Sequence, residues 1–483
     1  MFFYRPAFCL LTASAALLGL AVTAQSQVTI GTNFTGNTLA DVQSLTGSTI
    51  APPDTDGSVG NSHYVEFTNG TFAIYNKSNG SLAVPKISDQ TFWQNAGLSS
   101  SGLSDTRIIF DPRSQRWFAA EITTSSTGNS VFVARSNTAD PTQGFKAVSY
   151  VANSGFADYP SLGVNADGVF IGSNNFTSST GSFKGVSITS IPKADLLLAT
   201  PTVANRTTKE DTSANLGFTL QGATDFGASN GHGSILATNN ANFGQLNRTD
   251  ITNVAGSGAA IFGATTVINV GATSSPGLGH QPDGTQQIDD SDDRIGGNVY
   301  KVGNLLYSAH GVTVGSTNAI RWYIINDLTN AVQEGTLSSP LFDYSYPSIA
   351  ANANGDVVIG FSRSGAGVGG NISSFAAVGS TTGGTLSFGA PLLLKAGEST
   401  GYHLFGGTGE RWGDYSATSV DPSDSSSFWT VQEYAGPGSN SWKTEVTQIR
   451  IGSVTTPEPG LPALGFGLLF VFGAARRRRR RTA

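Results

Sequence analysis

Cysteine is nearly absent. The 483 residues hold one, Cys9, and it lies inside an apolar run from Ala7 to about Val22 behind a single positive charge, Arg5. Small residues suited to cleavage follow, at Val22-Thr23-Ala24 or Ala24-Gln25-Ser26. This is the layout of a secretory signal peptide over residues 1–26, with a retained membrane anchor as the alternative. Once the leader is cleaved the chain has no disulfide, no thiolate metal ligand and no cysteine nucleophile. Charge is scarce as well: Asp, Glu, Lys and Arg make up 12% of the chain, against roughly 25% in ordinary soluble domains. Histidine occurs only as His63, His232, His280, His310 and His403, with no pair at H-x-x-x-H spacing to suggest zinc. A Gly-Lys-Ser/Thr phosphate loop is also missing.

What the chain has instead is glycine, 60 residues of it, and 28 Phe, 13 Tyr and 6 Trp. That is enough apolar area for a core and argues against disorder. Formal net charge is −6. Seven of the basic residues, Arg5 and Arg476–Arg481, and one acidic residue, Glu458, lie in the ends, so the body is more acidic still, about −12. An acidic body repels phosphate backbones and excludes nucleic acid as a partner.

The chain ends TTPEPGLPALGFGLLFVFGAARRRRRRTA. Leu461–Ala475 is shorter than the roughly 18 apolar residues of a spanning helix, but the adjoining arginines would hold its C-terminal side in the cytoplasm. Pro457, Glu458 and Pro459, then a short hydrophobic helix, then Arg476, Arg477, Arg478, Arg479, Arg480 and Arg481, resemble the bacterial PEP-CTERM sorting signal. The resemblance covers residues 454–483. It implies processing by an exosortase, membrane association through the C-terminal helix before processing, and delivery to the cell surface or the extracellular matrix. An ordinary tail anchor is the alternative.

Between the ends, short β-prone runs are punctuated by Asn, Asp, Gly and Pro, with no long helical period. A layout recurs: an acidic residue, a short strand, a polar turn, a more apolar strand. It is clear in Asp105-TRIIF-DPRSQ-RWFAAEI, Asp158-YPSLGV-NADG-VFIGSNNF and Asp414-YSATSV-DPSDSSS-FWTVQEY. Tyr346-PSIAANANGD-VVIGFS echoes the second. Looser copies begin at Asp56 and Asp293, and the weakest at Asp225. The seven markers, Asp56, Asp105, Asp158, Asp225, Asp293, Asp343 and Asp414, are unequally spaced, as expected for four-stranded blades with variable loops. The chain is therefore read as all-β: a lead-in over 27–50 and a single β-propeller over 51–453 with seven blades, six or eight being alternatives. A pair of β-sandwiches is the rival architecture.

PPDTDGSVGNSHYVEFTNGTFAIYNKSNG, DTRIIFDPRSQRWFAAEI, DDRIGGNVYKVGNLLYSAHGV and RWGDYSATSVDPSDSSSFWTVQEY resemble a group of secreted bacterial propeller-like proteins. The likeness runs in patches over residues 50–452 and is poor from about 195 to 285. It implies a fold and an extracellular setting, and brings no catalytic residue with it.

Two acidic stretches suit calcium, which takes hard oxygen ligands on flexible turns. One holds Asp283, Asp289, Asp290, Asp292 and Asp293; the other holds Asp54 and Asp56. Turn capping by the same side chains is the plainer reading. If the acidic markers start the innermost strands, Asp105, Asp158 and Asp414 gather at the channel mouth and can meet sugar hydroxyls. Arg411-Trp412, like Arg116-Trp117 and Arg321-Trp322, offers a stacking platform, or packs between blades with the arginine closing an ion pair such as one to Glu410. Arg107, Arg294 and Arg411 are the only arginines placed for a sialidase-like triad. His63 and His310 read as core residues. No catalytic residue is assigned. The expected function is an exported, non-catalytic binding or structural component of the envelope or its exopolysaccharide matrix; the alternative is a propeller glycoside hydrolase or polysaccharide lyase.

Overall fold

The computed structural model describes residues 27–452 except 126–127, 153–154, 256–257, 285–286 and 408. The expected leader and the expected sorting tail lie outside the described residues. No described helix is long and apolar enough to cross a membrane.

Val28–Ile451 form one unit built of antiparallel hairpins, because the apolar runs are five to ten residues long and end at residues that turn the chain. Apart from the short parallel pair of Gln287–Ile288 with Gly409–Glu410, the strands can be followed as seven hairpin groups in chain order, two of which share one hydrogen-bonded sheet. The first comprises Asp56–Val59, His63–Thr68 and Thr71–Asn76, and the second Leu103–Asp111, Arg116–Thr123, Ser130–Ser136 and Phe145–Val151. The third runs from Phe156–Asp158 to Thr207–Asp211 and the fourth starts with Phe218–Asp225 and Gly233–Thr238. The fifth, Val299–Val302 to Val332–Leu337, joins the fourth through a parallel pairing of Ala223–Asp225 with Val299–Lys301. The sixth starts with Asp343–Ala351 and the seventh with Ala417–Val420. Each group's first strands pack on those of the next, and Asp56–Val59 packs on Ala417–Val420, so the order returns to its start. This is the arrangement of a β-propeller.

The segment set apart as a lead-in belongs to the last group. Val28–Thr38 pairs antiparallel with Trp442–Ile451, from Val28 opposite Ile451 to Thr38 opposite Lys443. Helix Leu39–Thr46 follows, started by a capping box between Thr38 and Asp41. It buries Leu39 and Val42 against Tyr346, Tyr402, Trp412 and Trp442.

The repeated hairpins appear where the sequence places them, but the acidic markers do not all start strands: Asp158 and Asp225 end theirs, and Asp293 and Asp414 lie ahead of the strands that begin at Val299 and Ala417. Their turns share a mechanism. Asp111 accepts from Arg113 N at 3.0 Å, Asn165 from Asp167 N at 2.9 Å, Asn352 from Asn354 N at 3.0 Å and Asp421 from Ser423 N at 2.9 Å. The same side chains tie neighbouring groups together. Lys193 reaches Asp111 at 2.7 Å, Asn165 donates to the His232 carbonyl, Asn352 to the Ser425 carbonyl, and Lys77 reaches Asp421 at 2.9 Å.

Candidate functional site

The opposite ends of the innermost strands carry the acidic markers, and there the backbone is strained. Asp54, Asp105, Tyr159, Tyr346 and Asp414 have φ of 49°, 64°, 58°, 50° and 140°, values that non-glycine residues rarely hold outside functional or tightly constrained sites. Two of them sit in matching bulges: strand pairing skips from Ser104 to Arg107 and from Ser345 to Ser348. A third bulge, from Phe218 to Gln221, contains Thr219 with φ 55°. A bulge swings the side chain out of the sheet's alternation.

The strained residues form a web. Asn69 Nδ2 donates to Asp54 Oδ2 at 2.8 Å, and Asn69 Oδ1 accepts from Asp105 N at 2.9 Å. Tyr159 N donates to Asp105 Oδ2 at 3.1 Å, and the Tyr159 hydroxyl donates to the Asp414 carbonyl at 2.9 Å. The Tyr415 hydroxyl closes the circuit on the Thr106 carbonyl at 2.9 Å. The Asp54 and Asp158 carboxyls both reach that of Asp105. Like charge beside them disfavours the ionised forms of Asp54 and Asp158. Burial, then the charge of Asp105 and its hydrogen bond, push Asp158 up to about 8. Burial, then the charges of Asp414 and Asp105, push Asp54 well up. Asp414 is raised by burial, against the opposing pull of Arg411 and Arg294.

All three nominated arginines converge here. The Arg107 guanidinium lies 3.3 Å from the Tyr415 ring centre and 5.1 Å from that of Tyr159, whose other neighbour is Arg294 at 4.8 Å. Arg411 Nη2 meets Asp414 Oδ2 at 2.8 Å, and its Nη1 meets Asp289 at 3.5 Å. Each arginine is already engaged, however. Arg107 is 1% exposed, bonded to the Pro160 and Gly296 carbonyls and 3.5 Å from Asp56. Arg294 holds Asp292 through two bonds of 2.7 Å.

Sequence reasoning missed Asn69, Tyr159, Tyr346 and Tyr415. The signal was there: a tyrosine directly follows Asp158 and Asp414, and Tyr346 leads the echo of the Tyr159 hairpin.

Other expectations change. The Asp283–Asp293 stretch fans apart: Asp283 meets His403 at 2.5 Å, Asp290 accepts from Asn318, Asp292 holds Arg294, and Asp293 is buried. Asp54 and Asp56 likewise serve different partners, Asn69 and Arg107. Among the described residues no three His, Cys, Asp or Glu side chains group so as to hold a metal ion. Asp225 and Asp343 lie outside the web, paired with Lys301 at 3.5 Å and with His280 at 2.8 Å. Trp412, Trp117 and Trp322 are buried in packing rather than presented to a ligand. The Arg411–Glu410 pair does not form; Glu410 accepts from Phe405 N and Gly406 N instead. His310 is a core residue, 3.1 Å from the Tyr323 hydroxyl and lowered to about 4 by burial. His63 is half-buried, 3.9 Å from Asp140.

No family model and no curated protein matches the chain. Among solved structures it is similar to the WD40 domain of Toxoplasma gondii coronin, at 10% identity over 90% of this chain and 88% of that one, with TM-score 0.41. It is also similar to an α-L-arabinofuranosidase from Fusarium graminearum, at 12% identity over 68% and 93%, with TM-score 0.39. A third is Trypanosoma rangeli sialidase, at 9% identity over 88% and 61%, with TM-score 0.35. Likenesses this distant assign no activity.

Proposed function

We propose that this is an exported propeller whose channel mouth binds hydroxyl-rich polymer without cleaving it. In this reading the leader and the Pro-Glu-Pro tail carry the chain to the envelope, an exosortase processes the tail, and exopolysaccharide is the partner. The observation that carries the binding role is the convergence of Asp54, Asp105, Asp158 and Asp414 with Arg294, Arg411 and Tyr159 at one end of the inner strands. Mixed carboxyl and carboxylate groups both donate to and accept from sugar hydroxyls, and held arginines add fixed donors.

Two features speak against hydrolysis. Asp54 and Asp158 each interact closely with Asp105, whereas a catalytic pair stands about 5–9.5 Å apart across the glycosidic bond. The arginines are spent on aspartates and backbone carbonyls, leaving no triad for a substrate carboxylate. One feature favours a glycoside hydrolase as the second reading: Asp158 holds its proton to about 8, as a general acid must.

The test is to incubate the full-length chain with matrix polysaccharide and follow both co-sedimentation and newly formed reducing or unsaturated ends. Co-sedimentation without new ends supports the binder. New ends that appear with turnover, and vanish in Asp158→Asn, replace it with the hydrolase.

A further inference from the structure

Asp343 is an acidic marker that the mouth does not use. It starts the innermost strand of the sixth group and is 1% exposed, yet its partners come from other parts of the chain. Oδ1 accepts from Asn318 N at 2.7 Å, and Oδ2 accepts from His280 N at 2.9 Å. The same Oδ2 lies 2.8 Å from His280 Nδ1. A carboxyl oxygen that already accepts a backbone N–H sets the ring with Nδ1–H toward it. In the neutral imidazole Nε2 is then a lone-pair acceptor, and it has no partner among the described residues.

With Nδ1 turned to a buried carboxyl, Nε2 lies on the open edge of the ring. The side chain is 40% exposed and lines a cavity of about 440 Å³ between the hairpin tip of the fifth group and two loops of the sixth. Small-molecule sites run from about 300 to 1,000 Å³. Leu341, Phe342 and Val368 form an apolar wall, in which Leu341 is 71% exposed and Val368 fully so. No Asp, Glu, Lys or Arg lines the space. Of the other polar side chains around it, Thr317 donates to the Ser339 carbonyl at 2.6 Å, and Ser316 lies on the exposed hairpin tip.

These features narrow the occupant. A ring that met only solvent would need no buried carboxyl to fix its tautomer, and water would leave the apolar wall uncovered. A metal ion needs more than one imidazole, and among the described residues no His, Cys, Asp or Glu side chains form a group of three for one. An ion of either sign finds no fixed countercharge on the lining. What matches is an apolar body with a single O–H donor, and Phe342 offers a ring for another ring to meet.

We propose that this cavity is a second binding site, for an uncharged aryl alcohol whose hydroxyl donates to His280 Nε2 and whose ring packs on Leu341, Phe342 and Val368. Asp343 is the positioning residue that holds Nε2 as an acceptor. The site lies apart from the mouth residues and does not depend on the polysaccharide reading.

Fluorescence titration of the full-length chain at pH 7.5 would compare 2-naphthol, 2-methoxynaphthalene and 2-naphthoate. The naphthol should bind at least ~10-fold tighter than the methoxy compound, which lacks the donor, and the charged naphthoate should bind weakest. His280→Phe keeps an apolar ring in place and should bind naphthol and methoxynaphthalene equally. Asp343→Asn, checked as folded by its melting curve, turns an amide N–H toward Nδ1, reverses the tautomer and should erase the same preference. In ¹⁵N-histidine spectra one Nε2 resonance, absent in His280→Phe, should shift with 2-naphthol and less with the methoxy compound. Equal binding of these two by wild type would overturn the proposal, as would a preference that persists in His280→Phe. So would tightest binding of the naphthoate, or no saturable binding of any of the three.

Discussion

Arg107 shows how a single side chain holds the inner strands in place. Its guanidinium lies flat on Tyr415, donates to carbonyls from two other groups of strands, and neutralises buried Asp56. Burial raises Asp56 to about 7 even against the pull of Arg107. Removing the arginine leaves that carboxyl buried and unpaired. Arg107→Met should therefore cost about 3–5 kcal/mol in urea unfolding, and adding Asp56→Asn should restore part of it. Equal loss in single and double variants would refute the pairing argument. Gly413 is a second fixed point: with φ 69° and a Tyr346 ring carbon 2.2 Å from where a Cβ would stand, no other residue fits without moving the tyrosine. The sequence singles out Arg107 and the Arg411–Tyr415 block, but it does not say that the arginines face aspartates rather than a ligand, because pairs such as Arg107–Asp56 and Arg411–Asp289 join distant parts of the chain.

The hairpin is the unit that was readable in advance. Its acidic start, polar turn and apolar second strand are local, and the structure finds the turn at Asp111, Asn165, Asn352 and Asp421 as the spacing implies. The bulges that turn Asp105 and Tyr346 toward the mouth were not readable, since one extra residue in a strand leaves no mark on composition. Nor was the pairing of Val28–Thr38 with Trp442–Ile451, a contact across almost the whole chain. Asp421 carries more than its turn: it also accepts from Lys77 at 2.9 Å and from Trp429 Nε1 at 3.1 Å. Asp421→Ala should thus destabilise by about 2–4 kcal/mol, beyond the ~1 kcal/mol of a lost turn bond. The Asp424→Ala substitution, on an exposed side chain of the same turn, should cost less. Comparable losses at the two positions would show that Asp421 serves the turn alone.

Across the whole molecule the buried carboxyls set the response to pH. Asp158 and Asp290 are raised to about 8, and Asp56, Glu66 and Glu445 to about 7, each chiefly by burial. The folded chain thus holds protons that the unfolded chain has given up above roughly pH 4. Stability from these groups is full below that value and is lost as pH rises through 7 and 8. The melting temperature should fall by at least ~2 °C between pH 5 and pH 8, and the slope should flatten in Asp290→Asn. A melting temperature that rises over this interval would contradict the protonation scheme of the mouth. Composition foretold an acidic body; that carboxyls from distant strands gather near Asp105 follows only from the tertiary fold.

The measurement that bears most directly on the binding role is co-sedimentation of the chain with matrix polysaccharide, wild type beside Asp158→Asn/Arg411→Gln. Both positions lie at the mouth and are less enclosed than Arg107. The account predicts that wild type sediments with the polymer and that the double variant, still folded by its melting curve, loses most of this binding. Undiminished binding by the folded double variant would place the ligand elsewhere on the propeller and contradict the account.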